Sequence, residues 1–165
     1  MANQFGNYSL YISLITSIFI IFQSFKLIKN SSINLDSKIF SALSVQLFMV
    51  FISFFSLIYA FIISDFSNQT VYSNSHSTKP LFYKISGSWG NHEGSMLLWL
   101  LVLTIFLFIF LIKSNNQKKN YRLLTVLFQE IIILGFLLFI LLTSNPFVNL
   151  FPIVKEGLGL NPILQ

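Results

Sequence analysis

Four long apolar runs separated by polar segments dominate the hydrophobic pattern of the chain. They cover residues 8–25, 39–63, 95–112 and 123–142. Each reaches or approaches the ~20 mostly apolar residues that a helix needs to cross the hydrocarbon core of a bilayer. The pattern therefore predicts an all-α integral membrane protein, a single membrane domain over residues 1–165 with four transmembrane helices.

The composition agrees with this class and argues against others. The chain is 55% apolar and 9% charged, whereas soluble domains carry about 25% charged residues. The net charge of +5 does not indicate nucleic-acid binding, because the basic residues lie between apolar runs rather than on one soluble face. The absence of cysteine excludes disulfides and thiolate metal sites within this chain. Phe, Ile, Asn and Lys, which have AT-rich codons, are favoured, and this fits an organellar genome.

The positions of Lys and Arg predict the orientation of the helices. The short loops 26–38 and 113–122 contain seven of these residues, and the remaining segments contain three. The positive-inside rule therefore places both short loops in the cytoplasm or matrix. The N-terminus, an outer loop 64–94 and an outer tail 143–165 are expected on the opposite side. Three prolines and two glycines in the tail predict that it is not one continuous helix.

Glu130 is the one charged residue inside a predicted membrane helix. It lies seven residues from Leu123, or roughly 10 Å below the inner surface. A charge at such a depth is costly and indicates a function or a buried partner. Gln46 is also seven residues from the inner end of its helix. We expect Gln46 and Glu130 to form a hydrogen bond across packed helices, a protonated carboxyl being one form of the pair. In the alternative, Glu130 faces a partner subunit or snorkels through a thinned bilayer.

Small residues recur at three- to four-residue steps along the first two predicted helices. Such stripes allow helices to approach closely in a membrane, and we interpret them as packing positions. They are Ser9, Ser13, Thr16, Ser17 and Ser24 in the first helix, and Ser53, Ser56 and Ala60 in the second.

The segment 87–99, GSWGNHEGSMLLW, contains the only adjacent His–Glu pair of the chain. A zinc-protease motif requires His-Glu-x-x-His, but Met96 stands where the second His is needed. A site shared by His92 and His76 would require the loop between them to fold back. The glycine spacing does not match a phosphate-binding loop, and no Gly-Lys-Ser/Thr follows. No metal site is therefore predicted.

The same segment is typical of a helix that enters the membrane. Trp89 and Trp99 bracket the expected interface, where Trp is favoured. Ser95 is the predicted cap of the helix, and Glu93 complements the helix dipole. This interpretation does not explain His92 or the preceding glycines.

Two long segments resemble a known family. Residues 81–103, LFYKISGSWGNHEGSMLLWLLVL, closely resemble the segment that leads into the third helix of CcmF, the haem lyase component of the System I cytochrome c maturation pathway. Residues 143–165, TSNPFVNLFPIVKEGLGLNPILQ, resemble the stretch after the fourth helix of that family. The resemblance covers essentially the whole chain, although residues 1–70 match mainly in hydropathy.

The resemblance implies the N-terminal part of a haem lyase, which helps to transfer haem from the chaperone CcmE to apocytochrome c on the outer side of the membrane. The implied partners are CcmE, apocytochrome c and the remaining CcmF portion with its tryptophan-rich segment. The implied location is the mitochondrial inner membrane, multi-pass, with the N-terminus facing the intermembrane space; the alternative is a bacterial plasma membrane.

The family's tryptophan-rich segment and its haem-ligating histidines are not among these 165 residues. The chain is therefore expected to be a fragment or one product of a split gene. Haem is the implied cofactor of the complex, no ligand is assigned here, and the catalytic residues are expected outside this chain.

Segment 87–99 is the expected platform where haem and apocytochrome meet, its glycines allowing close backbone approach. Its residues are Trp89, Gly90, His92, Glu93, Gly94, Ser95 and Trp99. Two other classes of function stay open from the residues alone. One is a structural or proton-handling subunit of a respiratory membrane complex that uses Glu130, and the other is a segment of a transporter.

Overall fold

The computed structural model describes residues 2–29, 36–152 and 154–159, and it is helical. Four of its helices are long and apolar enough to cross a membrane. The helices are α1 (Ala2–Lys29), α2 (Asp36–Ile62), α3 (Gln69–Asn74), α4 (Leu81–Gly87), α5 (His92–Lys113) and α6 (Lys119–Thr143). Within the described residues there is no strand, and only one isolated bridge pairs Asn68 with Asn149. The prediction of an all-α membrane protein with four transmembrane helices is confirmed.

The four long helices form a ring. Helix α1 packs against α2 and α6, and α5 packs against the same two helices. The interior is filled mainly by Leu, Ile, Val and Phe, while many large apolar side chains face outward. A bundle that is apolar on its outside as well as its inside is what a lipid environment requires.

Each long helix begins before the apolar run that predicted it. The largest difference is at α1, which begins at Ala2 rather than residue 8. Hydropathy marks only the apolar part of a helix, whereas the backbone hydrogen bonds continue through the polar residues on either side. Helix α5 likewise begins at His92, three residues before the predicted start at residue 95.

The loop between α2 and α5 and the tail after α6 form one structured region, which we call the loop end (residues 63–91 and 144–159 where described). The short helices α3 and α4 were not predicted in this loop. The tail is not helical, and it is held by backbone hydrogen bonds to residues 67–75. These bonds run from Gln69 N to Val148 O (2.9 Å), Leu150 N to Ser67 O (2.8 Å) and Leu158 N to Tyr72 O (2.8 Å). Residues 153 and 160–165 of the predicted tail lie outside the described residues.

Candidate functional site

The start of α5 is fixed by an asparagine and a glycine. Asn91 is the N-cap, and its Oδ1 accepts a hydrogen bond from the Gly94 amide at 2.7 Å. Its Nδ2 donates to the Gly87 carbonyl at 2.8 Å, which ties the cap to the end of α4. A Cβ atom at Gly94 would overlap the carbonyl oxygen of Ser88. Glycine is therefore required here so that the chain can turn tightly into the helix.

The prediction that Ser95 caps this helix was wrong. Ser95 lies inside the first turn, and its Oγ donates to the His92 carbonyl at 2.9 Å. Asn91 takes the role of the cap because it has the extended backbone that an N-cap needs, and its side chain reaches the amide of the third helical residue. The prediction that Glu93 lies near the helix N-terminus is confirmed, since Glu93 is in the first turn.

His92 links the start of α5 to the end of α6. Its Nε2 lies 3.0 Å from the Oγ of Ser144, the C-cap of α6. Its ring meets Phe139 edge-on, with centroids 6.2 Å apart. The remaining ring nitrogen has no hydrogen-bond partner among the described residues, so the imidazole is positioned by α6 with one nitrogen left over.

The two tryptophans of the predicted platform lie on the outside of the bundle. Trp99 is 59% exposed and Trp89 is 38% exposed. The Trp89 ring stacks on Phe54 of α2, with centroids 6.4 Å apart. Gly90 lies between these residues and the α5 cap, where a Cβ would be 3.3 Å from the carbonyl oxygen of Ser86. The close backbone contacts of Gly90 and Gly94 are thus made within the chain itself.

A polar cavity of about 210 Å³ opens beside Glu93 at the loop end. We call it the Glu93 cavity. Glu93 is its only charged lining residue, and hydroxyl and amide side chains supply most of the rest. They include Thr70, Ser73 and Asn74 on the α3 side, and Ser144 and Asn145 after α6.

The other histidine takes part in a separate contact. His76 Nδ1 lies 2.9 Å from Thr78 Oγ1, and its Nε2 lies 3.7 Å from Glu156 of the tail. Glu156 accepts hydrogen bonds from the Ser77 amide (2.8 Å) and the Ser77 hydroxyl (2.7 Å), which hold the pKa of this carboxyl below its ordinary value. Among the residues that the structure describes, no group of three His, Asp or Glu residues is arranged to hold a metal ion.

Asparagine side chains that sequence reasoning missed hold the loop end to α1. Asn68 is fully buried, and its Oδ1 accepts the amides of Thr70 and Val71 as the N-cap of α3. Its Nδ2 donates to Asn3 Oδ1 at 2.7 Å and to the Pro146 carbonyl at 2.9 Å. Asn followed by a short polar helix is a recognisable cap signal, but the tertiary partners carry no sequence signal.

Glu130 and Gln46 lie together in the centre of the membrane domain. Gln46 Nε2 donates to Glu130 Oε2 at 3.1 Å, and both residues are fully buried. Ser17 of α1 donates to the same carboxylate oxygen at 2.8 Å. The carboxylate of α6 is therefore held by side chains from two other helices of its own chain, α1 and α2. The hydroxyl of Ser17 was assigned by sequence to packing alone.

Arg122 forms a second buried polar cluster, at the end of the bundle opposite the loop end. It is buried, and its Nη2 donates to the Leu111 carbonyl and to Asn115 Oδ1, each at 3.1 Å. Its Nε donates to the Ser114 hydroxyl at 3.1 Å. The guanidinium thus donates hydrogen bonds to oxygen atoms at the C-terminal end of α5. It also contributes to the positive charge of the loop 113–122.

These features define a class of protein: a four-helix membrane module that presents a hydrogen-bonded, partly polar surface at one end. No protein-family model matches the chain. It is 41% identical over 165 residues to the cytochrome c-type biogenesis protein CycK of Rhizobium meliloti, which covers 100% of this chain and 24% of the relative. It is 37% identical over 175 residues to the cytochrome c-type biogenesis protein CcmF of Haemophilus influenzae, covering 100% of this chain and 26% of that relative.

A solved structure of the cytochrome c haem lyase CcmF has the same fold. The two superpose with a TM-score of 0.79 at 19% identity, over 89% of this chain and 25% of that one. The chain belongs to the CcmF family of cytochrome c-type biogenesis proteins, as its resemblance implied. It spans about a quarter of the length of the relatives that it matches.

Proposed function

We propose that the chain is the N-terminal part of a CcmF-like haem lyase, which helps to transfer haem from a CcmE-type chaperone to apocytochrome c on the outer side of the membrane. The observation that carries this proposal is the 41% identity to a cytochrome c-type biogenesis protein across the whole chain. The chain covers 24% of that relative. The tryptophan-rich segment and the catalytic residues are accordingly assigned to a portion outside these 165 residues.

The contribution of this chain is a rigid support at the loop end. Asn68, Asn91 and His92 fasten the short helices and the tail to the ends of α1, α5 and α6. A surface held in this way presents exposed groups, such as Trp89, in one geometry. Preorganised surfaces lose less conformational entropy when a partner docks. The platform predicted at 87–99 thereby extends to α3 and to the tail.

Haem is cargo in this proposal rather than a group bound by this chain. The Glu93 cavity, at about 210 Å³, is smaller than the ~300 Å³ at which pockets for drug-sized molecules begin. The carboxylate of Glu93 would also repel the propionates of haem. The residues around this cavity therefore do not fit a haem, and no transfer step is assigned to them.

We further propose that the chain lies in the mitochondrial inner membrane with its N-terminus in the intermembrane space. The excess of Lys and Arg in the loops 26–38 and 113–122 supports this orientation. The AT-rich residue usage supports an organellar source. A bacterial plasma membrane is the alternative, and the two bacterial relatives named above fit it.

Co-purification tests the assembly. An affinity-tagged chain is solubilised from its native membrane in mild detergent, and the recovered proteins are identified by mass spectrometry. The expected result is recovery of a polypeptide that carries the tryptophan-rich segment, together with the haem chaperone. Recovery of respiratory-complex subunits in their place would contradict the proposal.

A further inference from the structure

We propose that the Glu93 cavity is a binding site for one cationic group, an alkylammonium or guanidinium ion of the kind that ends a lysine or arginine side chain. The cavity has a volume of about 210 Å³, and it is lined mostly by groups that form hydrogen bonds. Its single charged residue is acidic. These three properties, size, polarity and charge, select the ligand class.

Glu93 differs from the other carboxylates of the loop end. Asp65 accepts hydrogen bonds from the amide and hydroxyl of Ser67, and Glu156 accepts two from Ser77. The carboxylate of Glu93 has no hydrogen-bond or ion-pair partner within the described part of the chain, although it lines a cavity between α3 and the end of α6. Apart from its favourable place near the N-terminus of α5, this carboxylate therefore keeps its hydrogen-bond acceptors open toward the cavity.

The lysines of the outer loop form hydrogen bonds with groups other than Glu93. Lys79 Nζ donates to the Asn74 carbonyl at 2.8 Å, and Lys84 Nζ donates to the Ser64 hydroxyl at 2.7 Å. Neither forms an ion pair with Glu93. An external cation would meet the Glu93 carboxylate at one side of the cavity, and its other N–H groups would meet hydroxyl and amide oxygens such as those of Ser73 and Asn145. A charge-assisted hydrogen bond of this kind is stronger than a neutral one.

The same features exclude other ligands. An anion would be repelled by Glu93, and a large apolar ligand would leave the polar walls without hydrogen-bond partners. The ammonium or guanidinium end of a side chain fits the volume and can use the donors that it carries. The preference for a cation follows from the cavity alone. Assigning the cation to a lysine or arginine of an assembly partner rests on the proposed function.

The absence of cysteine from the chain permits a direct test by thiol modification. Ser73→Cys places the only thiol of the chain in the cavity wall, and Leu81→Cys places it at an exposed position on α4, outside the cavity. Native membranes that contain either variant are permeabilised, so that the reagents reach both faces. The thiol is then treated with methanethiosulfonate reagents of similar size that carry either an ammonium or a sulfonate group.

We expect the ratio of cationic to anionic modification rates to be about tenfold higher at Ser73→Cys than at Leu81→Cys, because one carboxylate acts at short range in a partly solvated cavity. Adding Glu93→Gln should remove this difference. Glu156→Gln, which neutralises the tail carboxylate, should leave it unchanged. A ratio that does not respond to Glu93→Gln would overturn the proposal. Gln is chosen because it keeps the shape of Glu, so the substitution should not impair folding.

Protection experiments then distinguish the source of the cation. The probes are n-butylammonium and a blocked tripeptide, Gly-Lys-Gly, with its acetyl-lysine counterpart as control. Slower modification of Ser73→Cys by both the amine and the lysine peptide, but not by the acetylated peptide, would support a site for a polypeptide side chain. Protection by n-butylammonium alone would support a site for free amines. Protection by neither probe would contradict a cation site.

Discussion

The side chains of Gln46 and Glu130 meet across the centre of the helix ring, 3.1 Å from Nε2 to Oε2. Helices α2 and α6 are not neighbours in this ring, so the hydrogen bond joins opposite members of it. Ser17 of α1 donates to the same oxygen. The other side-chain oxygens, Glu130 Oε1 and Gln46 Oε1, have no partner among the described residues. The cluster thus connects three helices through a single carboxylate oxygen.

Removing both members of this pair should cost less than the sum of the costs of removing each one alone. Glu130→Leu leaves the buried Gln46 amide without its acceptor, and we expect the free energy of unfolding to fall by ~1–3 kcal/mol. Gln46→Leu should have an effect of the same sign. The double variant should lose clearly less than the sum of the two, because no unpaired amide or carboxyl then remains. Reversible unfolding in mixed micelles measures all three variants, and additive losses would show that the two side chains do not interact.

Residue counting from the helix ends was sufficient to place Gln46 and Glu130 at a similar depth. It could not identify Ser17 as the third member, because a serine stripe fits close helix packing whether or not its hydroxyls bond to another helix. Nor does depth determine which way a side chain faces. That direction depends on how all four helices pack together.

Gly94→Ala should destabilise the loop end, whereas Gly135→Ala should not. A Cβ at Gly94 would overlap the backbone of Ser88, which cannot move without opening the turn before α5. We expect a loss of ~1–3 kcal/mol, as for an overpacked site. Gly135 has no atom within 4 Å of the position of a Cβ, and alanine favours a helix by up to ~1 kcal/mol. Thermal unfolding of the two purified variants measures the contrast, and equal melting temperatures would count against the turn geometry.

Both the oxygen and the nitrogen of the Asn68 amide should be needed to hold the loop end together. Asn68→Asp keeps the oxygen that caps α3 but loses the donor to Asn3 and Pro146. Asn68→Ala loses both functions, of which the cap alone is worth ~1 kcal/mol. Hydrogen exchange at the amides of Thr70 and Val71 should therefore accelerate strongly in Asn68→Ala. In Asn68→Asp the cap should persist. The tail, however, loses its hydrogen bond from residue 68 to the Pro146 carbonyl, so protease should cleave the tail faster. Unchanged exchange in Asn68→Ala would contradict the role of the cap.

The docking of the tail should weaken in acid. Hydrogen bonds from Ser77 lower the pKa of Glu156 from its ordinary value of 4.5. A carboxyl with a lowered folded-state pKa contributes stability that is present above its unfolded pKa and is lost as the pH falls through the folded one. Limited proteolysis of residues 154–159 should therefore become faster below about pH 4.5. Glu156→Gln removes the titrating group, so its cleavage rate should depend less on pH. Identical pH profiles for the two proteins would rule out this linkage.

Hydropathy predicted the four membrane-spanning helices from the sequence, and the resemblance identified the family. The structure of the loop end was harder to predict from the sequence. Its short helices contain seven residues at most and have no apolar periodicity long enough to detect. Asn91, rather than the predicted Ser95, is the cap of α5. Both residue types are favoured as caps, so the sequence preference alone could not decide between them. The choice between them depends on the tight turn before α5, in which Asn91 also bonds to the Gly87 carbonyl.

Accumulation of holocytochrome c tests the proposed function most directly. Membranes from cells with and without the chain are compared by haem staining of c-type cytochromes, with apocytochrome c followed by antibody. We expect loss of the chain to abolish haem-stained cytochrome c while the apoprotein is still made, and expression of the chain to restore it. Normal haem-stained cytochrome c in the absence of the chain would contradict a role in haem attachment.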